Sequence, residues 1–360
     1  MKNEEIGVLS FQNTINYGAD LQIYSLCYIL KKIGKNPIVI NYKNQTIENS
    51  EFPKFRDNLT PKKLLKTFAF RILTRKKRRK FASFKNEYFS FSKEYTQKNF
   101  SDIENVFNKL IVGSDQVWNT NLTGSDLNYF FYNISEKIKK YAYAASFGVG
   151  DVKKLQLSPQ ISEALNAFTA ISTREIDGEK IVGDISDQNA VTVLDPTFLL
   201  TQEEWRRFSS SSNIQKSKPY LLIYFIKNSK TMDLAKNYAT ENNLEIKYIS
   251  MRPFAGVGIK TITDASPEDF ISLIMGASAV IAGSYHGFIL SLNLNIPVFV
   301  DFDHSSSNKN SRLESIIELF DLKNIGISNH QNLIFFNDYE QFNEKLTEFR
   351  EKSFSFLKEI

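Results

Sequence analysis

The sequence predicts an α/β fold in which two Rossmann-like domains with mostly parallel sheets face a cleft. Two observations support this prediction. Short apolar segments alternate with segments of helical periodicity along the chain, which is typical of βαβ units. The chain of 360 residues is also too long for one ordinary core and fits two domains. Because ligands of such sheets bind beyond the carboxyl ends of the strands, we expect polar residues at strand ends to carry the function.

The predicted elements fall into two series. In the first, strands at 6–10, 37–41, 110–113, 140–146 and 170–173 accompany a helix over 20–33 that ends at Gly34 and a long basic helical region. In the second, strands at 191–194, 220–225, 245–249, 279–282 and 298–300 alternate with helices near 229–242, 267–276, 286–294 and 309–320. We therefore predict an N-terminal domain over 1–180, a C-terminal domain over 181–335, and a helix within 336–360 that packs back on the first domain.

The composition is that of a soluble globular enzyme, with 42% hydrophobic and 24% charged residues. A single cysteine excludes an intramolecular disulfide and suits a reducing compartment. The start of the sequence, MKNEEIG, is unlike a signal peptide, and no segment approaches the roughly 20 apolar residues of a membrane span. These features predict a cytoplasmic protein, either free or bound peripherally at the inner face of the cell membrane.

The stretch 62–85 is densely basic and interleaved with leucine, phenylalanine and isoleucine. It is either a solvated helical face or a surface that contacts anionic lipid, as basic amphipathic helices do. No other segment resembles a nucleic-acid module, so we predict no nucleic-acid partner.

Polar clusters follow four predicted strands, and they either bind a ligand or merely end the strands, as Gly, Asn, Ser and Asp often do. The first cluster leads into a helix N-terminus, which is a natural anion site. The third is AASFG at 144–148. The first cluster contributes the candidate ligand-binding residues Asn16, Tyr17 and Gly18. The second cluster, GSDQVWN, contributes Ser114, Asp115, Gln116, Trp118 and Asn119. The fourth cluster, ISTRE, contributes Arg174.

One of only three histidines, His286, stands where a buried strand turns into a helix. The adjoining Ser284 and Gly287 are candidates for substrate binding, and Arg312 lies at the loop that opens a following helix. His286 is either a proton donor or a hydrogen-bonded structural residue. No pair of histidines has ligand spacing, so we predict no metal site.

Six segments together resemble the polysaccharide pyruvyl transferase family over about residues 6–325: NTINYGADLQIYSL, IVGSDQVWN, YAASFG, ISTREIDG, LDPTFLL and AVIAGSYHG. The resemblance implies a GT-B-like fold with an acceptor side in the first domain and a donor side in the second. It also implies transfer of the pyruvyl group of phosphoenolpyruvate onto two hydroxyls of a sugar, free or lipid-linked, to form a cyclic ketal in a bacterial surface polysaccharide. Phosphoenolpyruvate is then a substrate, and no cofactor is expected.

The chemistry of this reaction suggests roles for the candidates. Protonation of the methylene carbon needs an acid with a pKa near neutrality, for which histidine is the usual choice, so we assign it to His286. Asp115 is either a base for the acceptor hydroxyl or a cap of its turn. Tyr17 and Trp118 either stack on a sugar ring or pack in the core.

The donor's phosphate and carboxylate call for arginine, whose fork binds both groups bidentately. Part of the family has an arginine two residues before the histidine, where this sequence has Ser284. Arg174, Arg312 or Arg252 must then bind the anion, or the donor is bound differently. The other two histidines, His304 and His330, receive no role.

Two rival functions need the same fold. A GT-B glycosyltransferase would use a nucleotide sugar and an acidic residue on the donor ribose; Glu268 and Asp269 are available but form no recognisable motif. A non-catalytic binding protein would have no use for His286 and Arg174.

Overall fold

The computed structural model describes residues 5–360 except 52–60, 151–157, 213, 215–217, 227, 251–258, 260, 303–309, 324 and 329–331. The chain divides into two units. The first comprises Met1–Lys54, Lys85–Leu199 and Thr347–Ile360, and the second comprises Phe55–Phe84 and Leu200–Leu346.

The described part of the first unit forms one parallel sheet. Its strands are β1 (Glu5–Leu9), β2 (Asn36–Lys43), β3 (Phe91–Thr96), β4 (Lys109–Asp115), β5 (Lys139–Ala145), β6 (Ala170–Thr173) and β7 (Ala190–Thr192), in the order β3-β2-β1-β4-β5-β6-β7. Strands β4 and β5 are buried along almost their whole length. Burial on both faces explains the apolar runs LIV at 110–112 and YAYAA at 141–145 within them.

The helices of this half of the sequence are α1 (Tyr17–Lys32), α2 (Gln45–Glu51), α3 (Pro61–Leu73), α4 (Arg75–Tyr88), α5 (Thr120–Thr123), α6 (Pro159–Asn166) and α7 (Ile176–Ile185). Helices α1, α6 and α7 alternate with strands as the βαβ prediction requires. The fold class predicted for this half is therefore confirmed.

The second unit contains a smaller parallel sheet. Its strands are β8 (Tyr220–Tyr224), β9 (Glu245–Ile249), β10 (Thr261–Ile262), β11 (Ala279–Ala282) and β12 (Val298–Val300), in the order β10-β9-β8-β11-β12. Strands β13 (Gly326–Ser328) and β14 (Asn332–Ile334) form an antiparallel pair. The helices are α8 (Gln202–Phe208), α9 (Ser229–Glu241), α10 (Pro267–Met275), α11 (Tyr285–Asn293), α12 (Ser311–Phe320) and α13 (Tyr339–Glu359). The alternation again matches the prediction.

The strand predicted at 191–194 was assigned to the wrong series. In the structure β7 pairs in parallel with β6, so it is the last strand of the first sheet. The first unit accordingly continues to Leu199, and the predicted boundary at 180 falls inside α7. Strand β3 was missed because this edge strand is mostly exposed and lacks an apolar run.

The basic stretch and the last helix also group differently from the predicted domains. All of the basic stretch except Lys85 belongs to the second unit, where Lys80 Nζ contacts Asp269 Oδ2 at 2.7 Å and the Phe84 ring packs edge-on against Phe208. Only the part of α13 from Thr347 onward belongs to the first unit. Within the described parts of the chain, no helix is both long enough and apolar enough to cross a bilayer.

Candidate active site

The carboxyl ends of β1, β4, β5 and β6 are neighbours in the first sheet, and polar side chains link them. Ser10 Oγ donates a hydrogen bond to the carbonyl oxygen of Ser114 at 3.0 Å, and Gln22 Nε2 of α1 donates to Ser10 Oγ at 2.8 Å. The fully buried Ser114 hydroxyl lies 2.9 Å from the Ala144 carbonyl oxygen. The first two predicted clusters therefore do lie together, but Ser114 serves the sheet rather than a ligand.

The end of β4 has an unusual backbone. Asp115 has a φ of 79°, in the left-handed region, and follows a cis peptide between Gly113 and Ser114. Gly113 also has a positive φ, and a Cβ there would collide with the carbonyl oxygen of Tyr143. Non-glycine residues in this region are uncommon and cluster at functional sites. Eight other non-glycine residues of the described chain also have a positive φ, so the conformation by itself assigns no role to Asp115.

Asp115 belongs to a buried group of charges that we call the Arg174 cluster, formed by Asp115, Arg174, Glu175 and Asp195. Arg174 Nε lies 3.0 Å from Glu175 Oε1, and its Nη1 lies 3.2 Å from Asp195 Oδ2 and 3.7 Å from Asp115 Oδ1. The Arg174 side chain has no exposed surface.

Hydrogen bonds hold the acidic members of the Arg174 cluster in place. Asp195 Oδ1 accepts from Thr197 N at 3.0 Å and from Thr197 Oγ1 at 2.7 Å. Glu175 Oε1 accepts from Ser146 Oγ at 2.9 Å. Sequence reasoning missed Glu175 and Asp195, although both lie in the segments that carry the family resemblance. The available signal was an acidic residue just after a buried strand.

The composition of the Arg174 cluster does not support donor binding by Arg174. Three carboxylates surround one guanidinium, so a further anion would meet a net negative environment. A buried cation in such contacts is held by its partners, and removing it leaves charges uncompensated. Arg174 therefore lies in ion pairs with Glu175 and Asp195, and its Nη1 is 3.7 Å from Asp115 Oδ1.

The predicted anion site at the N-terminus of α1 is not supported either. Asn16 Oδ1 accepts a hydrogen bond from Gly18 N at 2.9 Å, so the predicted residues cap their own helix. Asp20 lies fully buried in the first turn, 3.3 Å from Lys85 Nζ. This carboxylate already interacts with the positive end of the helix dipole, which disfavours a second anion.

The two candidate stacking residues belong to the core. Tyr17 and Trp118 are fully buried. Trp118 Nε1 donates to the Tyr129 carbonyl oxygen at 3.0 Å, and its ring stacks on Phe130 with centroids 5.6 Å apart. Of the two alternatives for these residues, the structure selects core packing.

The turn after Asp115 leaves one predicted residue accessible. Asn119 caps α5 by accepting from Asn121 N at 3.2 Å, and its Nδ2 donates to Gln116 Oε1 at 3.0 Å. Gln116 is partly exposed. Gln116 is therefore the most accessible residue of this turn, and Asp115 and Asn119 are each 8% exposed.

In the second unit, His286 lies at the predicted strand–helix corner, which we call the His286 turn (Gly283–Gly287). Gly283 N donates to the Tyr224 carbonyl oxygen of β8 at 2.9 Å. Ser284 is the N-cap of α11, and its Oγ accepts from Gly287 N at 3.1 Å. His286 is thus the second residue of α11, held in the first turn and 8% exposed.

Tyr224 and Gly287 fix the shape of the His286 turn. A Cβ on Gly287 would lie 2.7 Å from Tyr224 Cδ1 and 3.0 Å from Ser284 Oγ. Burial raises the pKa of Tyr224, while a hydrogen bond with Ser284 opposes the shift. The phenol therefore stays neutral and packs tightly under the turn.

An aromatic contact relates His286 to Arg312. The rings of Tyr285 and His286 are perpendicular, with centroids 5.2 Å apart. The guanidinium carbon of Arg312, the second residue of α12, lies 5.9 Å from the Tyr285 centroid, within the range of a cation–π contact. Tyr285, which sequence reasoning missed, therefore contacts both His286 and Arg312, two residues identified from the sequence.

Three further residues considered from the sequence lie outside the described residues. Arg252, His304 and His330 are not among the described residues. Within the described ranges, no three His, Cys, Asp or Glu side chains are grouped so that they could hold a metal ion.

The first prediction concerns the fit at Gly287. We expect Gly287→Ala to push Tyr224 or α11 aside, lowering stability by about 1–3 kcal/mol and reducing activity through displacement of His286. Gly183→Ala in α7 is the matched control, because a Cβ there meets nothing within 4 Å. Thermal unfolding and turnover of both variants test this; equal behaviour of the two would refute the steric argument.

Solved structures with similar folds are enzymes of nucleotide-sugar chemistry. UDP-GlcNAc 2-epimerase of Methanocaldococcus jannaschii, in complex with UDP-GlcNAc and UDP, matches with a TM-score of 0.51 at 11% identity, covering 96% of this chain and 92% of that one. A Listeria monocytogenes protein assigned as a UDP-N-acetylglucosamine 2-epimerase gives 0.51 at 10% identity, covering 98% and 97%. Another UDP-N-acetylglucosamine 2-epimerase gives 0.52 at 12% identity, covering 98% and 90%. At such low identity these matches show the fold, which is of the predicted GT-B type.

The family follows from the sequence match. The model of the polysaccharide pyruvyl transferases matches residues 16–300, so the chain belongs to the polysaccharide pyruvyl transferase family and is a transferase. No curated protein sequence matches the chain significantly.

Proposed function

We propose that the enzyme transfers the pyruvyl group of phosphoenolpyruvate onto two hydroxyls of one sugar, forming a cyclic ketal during synthesis of a bacterial surface polysaccharide. The family match supports the reaction class. The observation that carries the proposal is the position of His286, an acid–base residue fixed in the first turn of α11 with Arg312 nearby.

The proposed chemistry begins at the methylene carbon of the donor. His286 gives that carbon a proton, which leaves positive charge on C2. A sugar hydroxyl adds to C2 and loses its proton, and the C–O bond to phosphate breaks with the electron pair leaving on phosphate. A second hydroxyl of the same sugar then adds to C2 and loses its proton. The products are the ketal and inorganic phosphate, so the reaction needs no oxidant, reductant or cofactor.

The second unit offers groups for the donor's negative charges. The first turn of a helix presents backbone N–H groups and the positive end of the helix dipole, and phosphates commonly bind there. Arg312 adds a guanidinium suited to a carboxylate or phosphate. In this proposal the helix terminus and Arg312 take over the role of the family arginine that Ser284 replaces.

The first unit supplies the candidate base. Asp115 can accept the proton of an acceptor hydroxyl, and Arg174 fixes its side chain. Gln116 is placed one residue away and can hydrogen-bond a sugar hydroxyl. In this proposal the acceptor is recognised here, either as a free sugar or as a lipid-linked one.

The reaction itself is the direct test. We expect incubation with phosphoenolpyruvate and a panel of galactosides, glucosides and mannosamine derivatives to release phosphate and add one pyruvylidene group to one acceptor class. In heavy water the new methyl group should carry one deuterium, because its added hydrogen comes from an exchangeable acid. Thermal stabilisation by phosphoenolpyruvate should accompany turnover, since a ligand of the native state raises the melting temperature. Consumption of a UDP-sugar with no use of phosphoenolpyruvate would instead identify a glycosyltransferase.

A further inference from the structure

The basic helices α3 and α4 are separated only by Thr74. Thr74 donates its N–H to the Phe70 carbonyl oxygen at 2.9 Å, and Arg78 N donates to the Thr74 carbonyl oxygen at 2.9 Å. The two helices are buried at Thr67, Thr74, Lys77, Phe81 and Phe84. Each helix also carries exposed side chains that the buried residues leave free to face outward.

The exposed face combines apolar and cationic side chains. Phe68 is 55% exposed and Ile72 is 56% exposed, and Arg75 and Arg79 are exposed as well. Phe68 and Ile72 are spaced i, i+4 in α3, and Arg75 and Arg79 are spaced i, i+4 in α4, so each pair lies on one face of its helix. We call these four residues the α3–α4 face.

The sequence of helices α3 and α4 is strongly basic. Between residues 58 and 86 the sequence has 11 lysines and arginines and no acidic residue. Among the residues that the structure describes, Arg75 and Arg79 have no ion-pair partner. Lys76 pairs with Asp264 at 2.5 Å but stays 72% exposed, and such surface pairs contribute little. The face therefore attracts anions.

We propose that the α3–α4 face docks on an anionic phospholipid bilayer. Phe68 and Ile72 would enter the boundary between headgroups and acyl chains, while Arg75 and Arg79 would bind lipid phosphates. A second copy of the chain that docked through the same face would bring its arginines close to Arg75 and Arg79, and these like charges would repel each other. A nucleic acid would satisfy the arginines but leave the apolar side chains in water. An anionic bilayer is the partner that can bind both the apolar and the cationic side chains of this face.

Co-sedimentation of the full chain with vesicles tests the proposal, which does not depend on the proposed reaction. Vesicles of phosphatidylcholine with phosphatidylglycerol should bind the protein, vesicles of phosphatidylcholine alone should bind it far less, and rising salt should weaken binding. Arg75→Gln with Arg79→Gln should weaken binding about thirtyfold, at roughly 1 kcal/mol for each arginine. Phe68→Ser with Ile72→Ser should weaken it about tenfold.

Matched controls separate this face from general effects of charge and polarity. Arg206→Gln with Arg207→Gln removes two exposed arginines of α8, and Val106→Ser with Val191→Ser removes two exposed apolar side chains; neither pair should alter binding. Equal binding to neutral and anionic vesicles would overturn the proposal. So would unchanged vesicle binding by the α3–α4 variants. Two further outcomes would assign the face to another partner and overturn it as well: an oligomer that dissociates in Phe68→Ser with Ile72→Ser, or arginine-dependent binding to an oligonucleotide without vesicle binding.

Discussion

Replacing His286 with glutamine or alanine should lower turnover with phosphoenolpyruvate about 10²–10⁴-fold while the protein stays folded. This is the usual contribution of a positioned general acid. Glutamine is similar in size and can still form hydrogen bonds, but it cannot deliver a proton. Steady-state turnover and the melting temperature should be measured together for both variants.

The pattern of losses distinguishes the possible roles of His286. A proton donor predicts that His286→Gln keeps thermal stabilisation by phosphoenolpyruvate and loses turnover. Loss of both would make the histidine a binding residue. Near-normal turnover of His286→Gln would place the proton source elsewhere. His330→Gln is a suitable control, because the sequence gives that histidine no role.

Arg174→Met should destabilise the first unit by about 3–5 kcal/mol, the range for removing one partner from a buried ion pair. The variant leaves Asp115, Glu175 and Asp195 without their shared cation. Arg174→Lys keeps the charge but loses the fork that reaches several carboxylates, so we expect an intermediate loss.

Tryptophan fluorescence can assign this loss to the first unit. The chain has two tryptophans: Trp118 lies in the first unit and Trp205 in the second, both fully buried. In a Trp205→Phe background, urea unfolding followed by fluorescence therefore reports on the surroundings of Trp118. Arg206→Met is the matched control, because its pair with Glu203 is exposed and should contribute at most about 1 kcal/mol.

A double-mutant cycle completes the test of the Arg174 cluster. Adding Asp195→Asn to Arg174→Met should cost less than the sum of the two single changes, because both remove the same interaction. A folded Arg174→Met variant of normal stability that fails to use phosphoenolpyruvate would restore Arg174 as a donor ligand.

Most of the strands could be predicted because each is a short, buried apolar run between polar turns. The segments at 170–173, 245–249, 279–282 and 298–300 match the observed strands at both ends. The His286 corner was equally visible, since Ser284 caps a helix directly after such a run. The edge strands β3 and β10 and the small strands β13 and β14 lack this burial signal and were missed.

The partners of the charged residues could not be predicted. Nothing local shows that Arg174 faces Asp195, 21 residues away, or that Asp20 already occupies the positive end of α1. The sequence allowed both core packing and ligand stacking for Tyr17 and Trp118, with core packing slightly favoured for Trp118, and both side chains are buried in the structure. The contacts that these side chains make with distant parts of the chain determined which of them remained candidates for the functional site. The secondary structure alone does not show these contacts.

The path of the chain through the two units has a consequence for how the protein is made. The first unit draws on Met1–Lys54, Lys85–Leu199 and Thr347–Ile360, so its parts leave the ribosome at widely separated times. The backbone N–H of Leu194 bonds to Ser353 Oγ at 3.0 Å, and Arg350 Nε bonds to the Phe198 carbonyl oxygen at 2.7 Å. These two hydrogen bonds can form only after more than a hundred further residues have been synthesised. The unit whose synthesis begins first is therefore completed only after residues 347–360 of the nascent chain have emerged.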